Sequence, residues 1–113
     1  MAQAEFVQEG STIDYTPGSA VTAGDVVVQG DLVGIAKLDI AANALGALAV
    51  AGVFDVAKEG GGGVTFAVGA SVYWDDTNNV AVATDGGGAN KLMGKAIAAA
   101  ADADTYVRVR LSQ

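Results

Sequence analysis

Hydrophobic and polar positions along this chain alternate in short bursts rather than in helical stripes. Ser11–Thr16 alternates with Ile13 and Tyr15 on one face, as a half-buried strand requires. Pro17-Gly18 and Ala23-Gly24-Asp25 mark turns, and Val26–Gln29 follows as a second strand. Gly30-Asp31 leads into a third apolar stretch, Leu32–Ile40, and Leu48–Ala57 reads as another extended run carrying Val50, Val53, Phe54 and Val56. Ser71-Val72-Tyr73-Trp74 and Val80-Ala81-Val82-Ala83 flank a polar cluster, Asp75 to Asn79. Asp and Asn bond their own backbone in tight turns, so this block predicts a β-hairpin. On its first strand Tyr73 and Trp74 point to opposite faces, one into the core and the other outward. Tyr106–Leu111 closes the pattern, with Val107, Val109 and Leu111 facing inward and Tyr106, Arg108 and Arg110 facing outward.

Two segments are ambiguous. Leu92–Ala101 is rich in alanine, but Gly94 and its short length favour a strand ending in a loop at Ala101–Asp104. Ala41–Leu48 is compatible with a helical turn. Many short strands with frequent turns predict an all-β fold: a small single-domain β-barrel or sandwich of short antiparallel strands, with at most one short helix. The expected organisation is an N-terminal arm at residues 1–10, extended or bound to a partner, and one β-rich domain at 11–113.

Composition sharpens this picture. In 113 residues, 51% are hydrophobic, but most of these are Ala and Val, with one Trp, three Phe and three Tyr. Small side chains remove little area from water, at about 25 cal/mol per Å2. A lone monomer is therefore expected to be marginal, and contacts with other subunits or a large partner would bury more. The 16 glycines include runs at 60–63 and 86–88 that read as mobile loops, ordered against a partner if at all. The start MAQAEFVQEGS lacks the basic and apolar segments of a secretory signal, which makes a cytoplasmic origin the expectation. No run of about 18 apolar residues suggests a membrane helix.

Charge and chemistry narrow the function classes. The net charge is −7, from 13 acidic and 6 basic residues, which disfavours nucleic acid as a partner. Histidine and cysteine are both absent, which removes the usual general base near neutral pH, thiol nucleophiles and common zinc ligand sets. Asp75, Asp76, Asn78 and Asn79 offer oxygen ligands, but their spacing is not that of an EF-hand and suits an ordinary turn better. Gly94-Lys95 does not complete a phosphate-binding loop, because positions 89 and 96 are both alanine. Neither a catalytic residue, nor a cofactor site, nor a metal site is expected. Arg108 and Arg110 are candidates for pairing with a partner's carboxylates, against the plainer reading of a solvated strand face paired with the chain's own acids.

Six segments, in order, resemble a family of small phage capsid cement (head-decoration) proteins. They are Phe6-Val7-Gln8-Glu9-Gly10 with Thr12–Tyr15; Gly24-Asp25-Val26-Val27 with Val33-Gly34-Ile35-Ala36; Gly52-Val53-Phe54-Asp55-Val56; Val68–Asp75; Leu92–Ala96; and Val107–Leu111. The resemblance implies a β-barrel-like structural protein of the virion, not an enzyme. Its expected partner is the major capsid protein on the outer surface of the head, where it would stabilise the expanded shell. Self-association is expected, as a trimer, with no role for nucleic acid, membrane or cofactor. The expected capsid or subunit contacts are Phe6, Val7, Gln8 and Glu9 in the arm, and Arg108 and Arg110 on the last strand. The competing classes are a tail, spike or baseplate component and, less favoured, a small ligand-binding β-barrel.

Overall fold

The computed structural model describes Gln3, Gln8 and residues 10–113. Among the described residues nine strands form two antiparallel sheets. The first sheet has the order β1-β4-β3-β2, from β1 (Thr12–Tyr15), β2 (Val26–Gln29), β3 (Leu32–Ala36) and β4 (Gly46–Ala49). The second has the order β5-β9-β8-β6-β7, from β5 (Gly52–Ala57), β6 (Ser71–Asp75), β7 (Val80–Val82), β8 (Lys91–Ala96) and β9 (Tyr106–Leu111). Among the described residues the sole helical element is a 3-10 turn at Gly86–Gly88, whose preceding Asp85 carboxylate accepts from the Gly87 amide. The all-β expectation holds. Between barrel and sandwich, the structure has two facing sheets and no closed barrel. The five-stranded sheet curls until its edge strands touch at one parallel bridge, Lys58 to Ala81.

The main core lies between the sheets. Val33 and Ile35 of β3 pack with Val56, Val72, Trp74, Met93, Val107, Val109 and Leu111 from the other sheet. A second, smaller cluster occupies the opposite face of the four-stranded sheet. There Ala36, Ile40 and Leu48 meet Ile13, Tyr15, Val21 and Val27 beneath the loops joined by the Val21–Ile40 bridge. β3 is thus covered on both sides, and four consecutive residues, Val33 to Ala36, are buried without alternation. A strand buried on two faces has no polar face to keep.

Three local outcomes refine the sequence reading, each for a physical reason. The apolar run Leu48–Ala57 is two strands in different sheets. The chain crosses between them at Val50 and Ala51, and Gly52, the first residue of β5, adopts φ +114, a conformation open to glycine. The Ala41–Leu48 segment contains no helix: it turns through Asn43 at φ 63 and enters β4. The glycine run at 60–63 has fixed partners. Gly61 N–H donates to the Asp102 carbonyl at 2.7 Å, and Gly63 N–H donates to the Asp102 carboxylate at 2.5 Å. Beneath this loop the buried Lys58 ammonium donates to the Glu59 and Asp102 carbonyls at 2.9 and 3.2 Å.

Two further devices set the geometry of the second sheet. The β6–β8 register shifts between Val72 and Tyr73, with Met93 as the extra residue on β8. This bulge lets Met93 and Gly94 both face inward, where strict alternation would expose one. Gly94 then lies so close to β9 that an added Cβ would fall on the Arg110 carbonyl, with the Leu111 Cα at 3.0 Å.

The Gly94→Ala variant should therefore lose about 3 kcal/mol or more of stability, since the obstacle is backbone in a buried ladder. Gly18, with nothing within 4 Å of an added Cβ, should accept alanine with a change within about 0.5 kcal/mol. Urea denaturation followed by Trp74 fluorescence checks both.

Candidate functional site

The alternation of β9 exposes Tyr106, Arg108 and Arg110 while burying Val107, Val109 and Leu111. Its neighbours extend the same outer face. On β5, Val53 stands opposite Arg110, Asp55 opposite Arg108, and Ala57 opposite Tyr106. On β8, Lys95 stands opposite Arg110, and Ile97, just beyond the strand, donates its N–H to the Arg108 carbonyl. On β6, Ser71 stands opposite Lys95. The result is a solvent-facing patch mixing cations with apolar side chains, in which Val53, Ile97 and Tyr106 are 52%, 42% and 60% exposed. Such a mixture, with Tyr and Arg among it, is the composition that protein interfaces favour.

Within the patch the charges are unequal in their commitments. Arg108 binds Asp55 through two parallel bonds, Nε to Oδ1 at 2.9 Å and NH2 to Oδ2 at 3.1 Å. That fork holds the Asp55 carboxyl below the usual carboxylate range and raises the guanidinium further. The plainer reading of Arg108, a strand-face cation paired with the chain's own acid, is what the geometry shows. Arg110 has no ion pair among the described residues. Lys95 donates to a neutral oxygen, Ser71 Oγ, at 2.6 Å.

The arm residues fare differently. Phe6, Val7 and Glu9 lie outside the described residues. Gln8 is described, and its amide donates to the Thr12 carbonyl at 2.9 Å, next to the exposed edge strand β1. The structure therefore brings Arg108 and Arg110 together and leaves Gln8 on the other sheet. Sequence reasoning missed Lys95, Val53 and Ile97. Their place on the patch follows from the β5–β9–β8 register, which pairs segments far apart in the chain and leaves no local signal. Tyr106 was legible from alternation alone.

The remaining concave regions carry no convergent set of catalytic groups among their lining residues. A cleft of about 490 Å3 between β2 and the curled second sheet mixes polar and apolar lining, from Asp25, Val26, Ala57, Trp74 and Asn79. Among the described residues there is no group of three or more acids suited to a metal ion. The acidic turn after β6 is consumed internally. Asp75 accepts from the Thr77 and Asn78 amides and the Asn78 side chain, which lowers its pKa, and Asp76 accepts from the Trp74 indole. Trp74 is the buried member of the aromatic pair, and Tyr73 is partly exposed on the outer face.

Compared with known protein families, the chain matches the model of the phage cement protein family over residues 7–111. No curated protein and no solved structure matches it.

The pKa shifts carry a pH dependence. Asp31, beside Lys91, and Asp55 and Asp75 are all lowered in the folded state. Their stabilisation is complete above the ordinary carboxylate value and is lost as pH falls through the depressed folded values. Thermal melts should hold a steady midpoint from about pH 7 to 5 and fall below about pH 4. The Asp55→Asn variant should show a shallower acid limb.

Proposed function

The chain belongs to the phage cement protein family, and from that premise we propose that it binds the outer surface of a phage head and stabilises the expanded shell. It is a structural virion protein, and its partner is the major capsid protein. The observation that carries this reading is the family match across nearly the whole described domain. The fold supports it: two sheets share one apolar core, and a mixed cationic and apolar face is left to solvent. The proposed mechanism is additive. Copies seated across neighbouring capsid subunits, themselves associated as trimers, each contribute a modest interface, and multivalency converts many of these into a high barrier to rupture.

Residues 2–9 form the proposed capsid arm. Gln8 is tied to the exposed edge strand β1, so the chain enters the fold beside an unpaired sheet edge. Unpaired edges accept strands from partners, and Phe6 and Val7 are the arm residues proposed to meet an edge on the shell.

Two experiments test this function. Purified protein co-sedimented with expanded heads stripped of this component should saturate at hundreds of copies per head, about the scale of multivalent coverage, and raise resistance to heat. No binding, or a handful of copies, would move the protein to a vertex or the tail. Deleting residues 2–9 should abolish head binding and leave the circular dichroism spectrum and unfolding midpoint intact. Binding that survives the deletion would remove the arm from the mechanism.

A further inference from the structure

We infer that the cationic strip on β8 and β9 is a docking surface for a second copy of this chain, which meets it head to tail with an unengaged carboxylate. The inference adds surfaces and chemistry to the self-association proposed above and rests on that part of the reading.

The first observation is a like-charge pair held in register. Lys95 and Arg110 are direct cross-strand partners on the exposed face. Like charges directly opposite each other destabilise an antiparallel pair. Neither is ion-paired among the described residues, and the nearby Asp55 is already occupied by Arg108. This is not the overflow of a basic surface. The whole chain has six basic residues against 13 acidic ones. Lys58 is buried, and Lys91 and Arg108 are ion-paired. Of the three cations left, two face each other.

The second observation is the state of the acids. Most described carboxylates are engaged within their own chain: Asp31 and Asp55 by cations, and Asp25, Asp39, Asp75, Asp76, Asp85, Asp102 and Asp104 by N–H donors. Asp14 and Glu59 are the described acids whose carboxylates accept no such bond. Asp14 is exposed on β1, an edge strand of the opposite sheet. The free cations and this free acid therefore lie on different sheets of one molecule, and a second copy can bring them together.

Symmetry fixes the mode of contact. A two-fold, face-to-face dimer on this patch would stack Lys95 and Arg110 against their own copies. A head-to-tail contact sets cation against carboxylate, buries Val53, Ile97 and Tyr106 beside the pair, and closes into a ring when its rotation allows.

The test uses the free protein without heads, so its result is independent of shell binding. Equal parts of 15N-labelled and unlabelled chain are treated with a carbodiimide, which joins a lysine amine to a carboxylate in contact with it. The expected product is a mixed-isotope peptide pair joining Lys95 to Asp14. In sedimentation equilibrium, Arg110→Glu should weaken association by about tenfold or more, as should raising salt to about 0.5 M. Arg110→Thr, which relieves the like-charge pair, should weaken association yet raise the unfolding midpoint of the dilute chain, a split that a purely structural role would not produce. Should Arg110→Glu fail to fold, Arg110→Gln serves in its place. Lys95 linked solely within its own chain or to no carboxylate, or Arg110 variants that associate like the parent, would overturn the inference. Formation of these links by a protein that fails to co-sediment with stripped heads would instead count against the shell reading.

Discussion

The register of β9 between β5 and β8 is the constraint on which the rest of the structure depends. A strand has two faces and a period of two, so one choice of register decides both what is buried and what is displayed. Here it places Val107, Val109 and Leu111 in the core and sets Arg108 against Asp55 and Arg110 against Lys95. A slip of one residue would exchange these roles completely. The register is secured at both edges. Six residue pairs run along β5, while Gly94 allows β8 to approach so closely that no side chain fits between.

This arrangement also explains how a chain dominated by Ala and Val builds a folded core. Trp74, Met93 and Phe66 supply bulk at a few points, and the small residues let the sheets approach around them. The Met93 bulge contributes by turning two successive residues inward. The buried Lys58 is the polar exception in this interior. Its ammonium is satisfied by backbone carbonyls, and it anchors the glycine loop to the Asp102 turn.

Much of this was legible in the sequence where the signal is local. The hairpin around Asp75–Asn79, the alternation of Tyr106–Leu111 and the strand at Val26–Gln29 all follow from spacing and turn chemistry over a few residues. The reading failed where a tertiary partner decides. Leu48–Ala57 has no internal mark of the sheet change at Val50 and Ala51, and the glycine run at 60–63 does not reveal that Asp102 will fix it. For the candidate site, Arg108 and Arg110 were visible as a cationic face. Lys95 became their neighbour through a pairing across fourteen intervening residues, 96 to 109, which periodicity does not encode.

The crossing from β4 to β5 occupies Val50 and Ala51, and it is not the sole tie between the sheets. The Gln113 side chain accepts from Val33 N–H and donates to its carbonyl, both at 2.6 Å, so a side-chain amide from beyond β9 serves as an extra rung on β3. With so short a tether and this second clasp, neither sheet can melt without uncovering the other's apolar face. Wherever the two sheets open together, free energy gained by a ligand on the second is shared by linkage with the first. Occupying the β8–β9 face would suppress opening of β3, whose Val33 and Ile35 lie across the shared core.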